Sequence, residues 1–332
     1  MERCSSALSR SLRKSRCLLL AALIGTSGAG SSVHAAAGDP LGGLGILGDS
    51  SSDEFRADDA RGGQYAATTL GWVELLVRYR SVDAGPWGQR AEPRRAGYAY
   101  NWARSGAVAA DIVASGQVDG LAAQVAAGQV STVAVMVGAN DFALSNDTYA
   151  AIYDGRMTQD AVQAKIDGIL SSLRAAVRRI RAAGSARIFI ATLVDRAPVP
   201  VFQVRFPEPA RRERITRVIE AINDGIREIA HEPSVHVVDV SAYGRSMLKV
   251  IRGDGTFDVD GEPISVLEHG DEPHHMLLGD NEHGGTVGSG LLANVFIDAF
   301  RQTGLDIAPF SPREILQNAG IDAARPRRAK SR

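Results

Sequence analysis

From Leu41 onward the chain alternates short apolar runs with longer stretches in which apolar residues recur every three or four positions. The runs "LGILG" (44–48), "YAYNWA" (98–103), "TVAVMVG" (132–138), "RIFIATLV" (187–194) and "VHVVDV" (235–240) read as strands. Two of them, "VAVMV" and "IFIATLV", are apolar on both alternating faces, the pattern of strands covered by helices on each side. Helical stripes lie between them at 68–80, 158–184, 209–230 and 289–304. In the second, Val162, Ile166, Ile169, Leu170, Leu173, Val177 and Ile180 form one apolar face, and Gly184 supplies a stop. This alternation predicts a three-layer α/β fold with a mostly parallel, five-stranded sheet. No internal repeat or composition break divides residues 38–320, so one domain is expected there. The stretch 252–279 departs from the pattern and reads as an irregular excursion with a hairpin at Asp260-Gly261.

The ends of the chain change this picture. Arg3, Arg10, Arg13, Lys14 and Arg16 precede the apolar "CLLLAALIG" (17–25), which is too short to span a bilayer, and small residues follow. Residues 1–36 therefore read as a secretory signal peptide, with the mature protein starting near Ala36 or Ala37. Both cysteines, Cys4 and Cys17, fall in that segment, which leaves no thiol for catalysis, metal binding or a disulfide. Cys17 opens the apolar core instead of following it, which argues against a lipid anchor there. Cleavage removes five basic side chains and one acidic one, moving the formal charge from −1 to about −5. That balance argues against a nucleic-acid partner, since phosphate neutralisation needs a basic face. No later apolar run is long enough for stable membrane insertion. A secreted or periplasmic location is expected. The tail 321–332, ending in "RPRRAKSR", reads as a basic, disordered end.

Composition is that of an ordinary globular protein, so the chemistry has to come from local patterns. In "GILGDSSSDEF" (45–55) three serines follow Gly48-Asp49. Ser51 and Glu54 have the spacing of a capping box, while Ser50 or a neighbour is placed to act as a nucleophile. Ligands of parallel sheets bind beyond the carboxyl ends of the strands. There the first strand delivers Gly48-Asp49-Ser50, the second "NWARSGA" (101–107) and the third Gly138-Ala139-Asn140-Asp141. A fourth polar cluster, "LGDNEHGGTVGSG" (278–290), precedes the last helix and holds Asp280 and His283, spaced to share one short loop.

These four stretches resemble the blocks of the GDSL esterases and acylhydrolases, also called SGNH hydrolases, with Ser50, Gly106, Asn140 and His283 at the positions that give the family its second name. The alternative signature G-x-S-x-G occurs nowhere in the chain. The resemblance implies a flavodoxin-like α/β/α fold and cleavage of carboxylic esters through an acyl-serine, with no cofactor and no metal. It implies a catalytic Ser50, His283 and Asp280, and an oxyanion hole from the Ser50 and Gly106 N–H groups and the Asn140 amide. Ser51 remains free to cap a helix behind the nucleophile. The implied partner is a small-molecule or polymer-borne ester, whether lipid, acetylated sugar, thioester or aryl ester; nothing in the sequence bears on oligomeric state. The family often has proline after the histidine, and Gly284-Gly285 here predict a more flexible loop.

Blander roles fit the neighbours. Asp141 and Asp49 read as braces of their turns, Asn101 as a partner for buried backbone groups, and Arg104 as a surface ion-pair former. The cluster His269, Asp271, Glu272, His274, His275, Asp280, Glu282 and His283 has metal-ligand chemistry but matches no metal motif. A metal-dependent hydrolase using this loop (269–283), and a catalytically silent carbohydrate-binding or adhesive protein on the same fold, are the competing readings. "DGTFDVDG" (254–261) lacks the order of a calcium loop.

Overall fold

The computed structural model describes residues 39–57, 61–92 and 94–322. The expected signal peptide, both cysteines and all but two residues of the basic tail lie outside these. All described residues belong to one compact unit, Ala37–Arg332.

Four parallel strands form the central sheet: β1 (Leu44–Gly48), β2 (Thr132–Met136), β3 (Arg187–Ala191) and β4 (Val235–Val238), adjacent in that order. Their side chains alternate between two cores. Leu47, Val133, Val135, Ile188 and Ile190 pack with helices α2 (Gln117–Ala126), α3 (Gln159–Ala183) and α4 (Pro209–Ile229). Leu44, Ile46, Ala134, Phe189 and Val238 face α1 (Trp72–Arg80) and α5 (Thr286–Gln302) on the other side. The apolar stripe foreseen on α3 is buried at Ile166, Ile169, Leu170, Leu173, Val177 and Ile180, each worth roughly 1.5–3 kcal/mol of burial. Gly184 caps that helix. Trp72 stacks on Phe296 with ring centroids 4.0 Å apart, tying α1 to α5.

The fifth strand is not formed as expected. Of residues 98–103, only Tyr98 enters a regular ladder, the two-residue antiparallel pairing of Trp87–Gly88 with Gly97–Tyr98, and Asn101 makes a single parallel bridge with Ile46. The backbone still runs beside β1: Ile46 N–H donates to the Tyr100 carbonyl (3.0 Å) and Trp102 N–H to the Ile46 carbonyl (2.9 Å). Its regularity is lost because side chains take its carbonyls. The Arg94 guanidinium donates to those of Ala99 and Asn101, and the Gln124 amide also donates to Ala99. Counting this ragged edge, the spatial order is the flavodoxin one, and the crossover reverses between β1 and β2. Ligands bind at such a switch point.

The excursion forms a small sheet of its own: β5 (Thr256–Val259), β6 (Glu262–His269) and β7 (His275–Leu277). Its hairpin turns at Asp260-Gly261, both with positive φ, as a tight two-residue turn needs. Phe257, Val259 and Ile264 bury against the α1–α5 core. Among the described residues no helix is long and apolar enough to cross a membrane.

Candidate active site

Strand β1 ends at Gly48, where a side chain is excluded because a Cβ would lie 2.4 Å from the Met136 carbonyl oxygen. That close approach sets β1 against β2 and aims the next residues over the sheet edge. The turn is then locked from several directions. The buried Gln117 amide accepts from Gly48 N–H (3.2 Å) and donates to its carbonyl (3.3 Å). Asp49, 2% exposed, accepts from Ser51 N–H at 2.9 Å. Burial pushes the Asp49 carboxyl up, opposed by hydrogen bonds from Ser51 and by the positive fields of Arg196 and His283. Ser50 is buried in this turn, its carbonyl accepting from Arg61.

No helix starts at Ser51, so the expected capping box is absent; residues 51–57 are irregular, mostly turns and bends, and among the described residues the first α-helix begins at Trp72. Glu54 turns inward instead and accepts from Tyr98 N–H at 2.7 Å. Its carboxyl is pushed up to about 8, first by burial and then by the charges of Asp53 and Glu74, against the Tyr98 hydrogen bond. Glu74 accepts from the N–H groups of Phe55 and Gly71 and pairs with Arg56 at 2.8 Å. The pattern S-x-x-E was therefore a local coincidence overridden by long-range partners.

Gly106 sits in an exposed turn with φ +84°, and a Cβ there would meet nothing within 4 Å. Backbone conformation, more than a crowding side chain, calls for glycine at this position. The turn is tied to the serine loop by Asp53, which accepts from both N–H (2.8 Å) and Oγ (2.9 Å) of Ser105, and by Arg61, which donates to Ser105 Oγ at 3.3 Å. Asn140 lies in the short 3₁₀ turn Ala139–Phe142 after β2. Its amide donates to the Ala107 carbonyl at 3.0 Å, which places it beside Gly106 and leaves its second N–H for another acceptor.

The bracing roles hold. Asp141 accepts from Ala109 N–H (2.8 Å), and Asn101 joins the Ser52 carbonyl (2.8 Å) to Ala103 N–H (3.0 Å). Burial raises the Asp141 carboxyl against that hydrogen bond and the charge of Lys165. Arg104 pairs with Glu92 at 3.3 Å.

On the opposite side, the loop 278–285 carries Asp280 and His283. Asp280 Oδ2 is 2.6 Å from His283 Nδ1, and its Oδ1 accepts from the N–H groups of Glu282 and His283, each at 2.9 Å. Partial burial pushes the Asp280 carboxyl up, but these hydrogen bonds outweigh it and hold the group well below the usual carboxylate range. Gly284 and Gly285 do not leave the loop loose. Gly285 N–H donates to the Met276 carbonyl (2.9 Å), Leu278 N–H to the His283 carbonyl (2.8 Å), and Gly284 bridges Leu277. The imidazole meets Phe55 edge-on with centroids 6.3 Å apart, and His283 and Ser51 share the wall of one cavity of about 310 Å³. The histidine loop is thus brought to the turn that holds Ser50.

With a serine turn, a glycine turn, an asparagine turn and an Asp-His loop meeting at one sheet edge, the match to known families becomes decisive. Residues 46–263 match the GDSL-like lipase/acylhydrolase family. This chain belongs to that family. It is an ester-hydrolysing serine hydrolase. The matched segment holds Ser50, Gly106 and Asn140, while Asp280 and His283 lie beyond it.

Solved structures similar to the chain include the acetylxylan esterase Axe2 from Geobacillus stearothermophilus, 18% identical, covering 87% of this chain and 99% of that one with a TM-score of 0.45. Others are the lipase Lip_vut3 from a goat rumen metagenome (14% identity, 77% and 96% coverage, TM-score 0.47) and a family 3 carbohydrate esterase from Clostridium thermocellum (15%, 79% and 96%, 0.38). No curated protein sequence matches the chain.

The histidine-rich loop does not gather into a metal centre: among the described residues no group of three or more His, Cys, Asp or Glu side chains could hold an ion. Its members pair off, His275 with Glu272 (3.3 Å) and Glu268 (3.6 Å), His274 with Glu262 (3.9 Å). Sequence reasoning missed Gln117, Asp53, Ser105 and Arg61. Each acts through a partner up to 69 positions away, and no local spacing announces such a pairing.

Proposed function

We propose that Ser50 is the nucleophile, His283 the general base and acid, and Asp280 the residue that orients the imidazole. The Ser50 and Gly106 N–H groups and the Asn140 amide are the oxyanion donors. The observation that carries this reading is the 2.6 Å contact between His283 Nδ1 and Asp280 Oδ2 on a loop adjoining the Ser50 turn. With Nδ1–H donated to Asp280, Nε2 keeps the lone pair that a base needs.

In the first half-reaction Ser50 Oγ bonds to the ester carbonyl carbon as its proton passes to His283 Nε2. The carbonyl π pair moves to oxygen, where the three donors meet the developing charge. Collapse of this intermediate breaks the bond to the alcohol oxygen, which takes the proton from His283 and departs. Water then repeats the sequence on the acyl-serine, releasing the acid and restoring Ser50–OH. The N-terminal pattern supports export before this activity is used, with the mature chain starting near Ala36 or Ala37.

The test uses protein recovered outside the expressing cell, with 4-nitrophenyl butyrate as substrate. Ser50→Ala and His283→Ala are each expected to lower kcat by about four orders of magnitude or more at unchanged Tm. Retained turnover in Ser50→Ala refutes the nucleophile. Absence of wild-type turnover, with no labelling of Ser50 by a serine-directed phosphonate, favours a silent binding protein. The N-terminal residue of the same sample reads the cleavage site, and a start at Met1 refutes processing.

A further inference from the structure

The cavity beside His283 is far larger than an acetyl group requires. It measures about 310 Å³, and its wall includes Val199, Phe202, Met247, Ile251, Phe257 and Leu292. These residues come from the segment after β3, the helix Val240–Leu248 and the loop that follows it, the small sheet and α5. The charged groups along the same wall are otherwise engaged. Asp195 accepts from Ala197 N–H (2.8 Å) and Thr216 Oγ1 (2.7 Å), Arg196 lies over the Phe202 ring at 5.7 Å, and the His283 ring is held from outside the wall by Asp280 at 2.6 Å. Glu282 is exposed. The remaining lining is predominantly apolar, with Ser51, Tyr243, Asn281 and Ser289 as its polar members, and half-encloses a chamber that adjoins the residue after the nucleophile.

We propose that this chamber receives the acyl chain of the substrate, and that the enzyme prefers esters of apolar acids of roughly six to ten carbons, since the cavity holds about ten groups of ~30 Å³. The proposal rests on the serine-hydrolase reading of Ser50. The acyl chain is favoured over the alcohol by the second half-reaction. Water must enter where the alcohol has left, which demands a wet path to the imidazole. A chamber walled mainly by Phe, Met, Ile, Val and Leu favours an apolar occupant over water and suits the group that stays attached to the enzyme. The wet path lies along the exposed side of the loop, where Asp280 is 42% exposed.

A series of 4-nitrophenyl esters from acetate to decanoate, run beside ethyl and octyl acetate, tests this. Each seated methylene contributes up to about fourfold in kcat/KM, so octanoate is expected to exceed acetate by at least about 30-fold. Met247→Trp, which fills the chamber, is expected to lower the octanoate-to-acetate ratio by at least about tenfold, and Ile251→Trp repeats the test from a loop position. A flat or falling acyl series overturns the proposal, as does a ratio unmoved by both tryptophans, or a gain confined to octyl acetate. Loss of all turnover in Ser50→Ala, alongside a flat wild-type series, leaves the serine-hydrolase reading standing and removes only the acyl pocket.

Discussion

The two sides of the proposed active site are built in opposite ways. The serine side is a buried turn held by distant residues: Gln117 on Gly48, Asp53 on Ser105, and Glu54 on Tyr98, with separations of 44 to 69 positions. The histidine side is a short loop that holds itself, since Asp280 satisfies the ring and backbone of a residue three positions on. It is also the more exposed of the two, with Asp280 at 42% against 9% for Ser50. The contrast teaches that one half of the machinery is part of the fold and the other is a detachable module laid against it. Damage to the first should appear in stability, and damage to the second in turnover alone.

Asp280→Asn gives the largest expected effect and tests the module. An amide in place of the carboxylate no longer fixes the imidazole tautomer, and kcat is expected to fall about 10²–10⁴-fold. Because the loop is exposed and local, Tm should move by no more than about 2 °C. A large loss of Tm with little loss of kcat, measured by calorimetry and steady-state kinetics, would break the comparison.

Gln117→Ala probes the fold side. It strands the Gly48 N–H in a buried place, at about 1–3 kcal/mol, while the Gly48 carbonyl keeps the Arg104 N–H at 3.0 Å. Tm is expected to drop by about 2–6 °C, with kcat/KM lower by about tenfold as the turn that holds Ser50 loosens. Unchanged thermal stability would show that the turn does not depend on that amide.

The smallest effect concerns pH. Glu54 has its folded carboxyl pushed up to about 8 from the ordinary 4.5, so the folded chain keeps a proton that the unfolded chain has lost. Stability from this group is fully present below about 4.5, declines as pH rises through that window, and levels off above about 8. Glu54→Gln, which keeps an acceptor for Tyr98 N–H without the charge, should flatten the decline. The difference is expected to be on the order of 2 kcal/mol at pH 8 and near zero at pH 5. Parallel urea-melt series for both proteins across this range check it, and equal slopes would refute the assignment.

Most of the fold was legible because its elements are periodic. Four strands and four helices follow from repeats of two and of three to four apolar positions, which reflect nothing beyond the face each element buries. The edge at 98–103 was not, because its carbonyls are taken by Arg94 and Gln124 instead of by a further strand, and such competition has no period. The Ser51–Glu54 spacing misled for the same reason: a local pattern states what a segment is able to do alone, and Tyr98, 44 positions from Glu54, offered its carboxylate a better partner.

The sequence by itself determined the layered architecture, the Asp260-Gly261 hairpin, the Asp280–His283 unit and the residue types at the ends of β1 and β2. All of these depend on neighbours within a few positions. Only the tertiary structure decided how the serine turn is braced, where Glu54 goes, and that an apolar chamber opens beside the imidazole. Those features are set by which distant surfaces come to face each other once the sheet has formed, and linear spacing carries no record of that meeting.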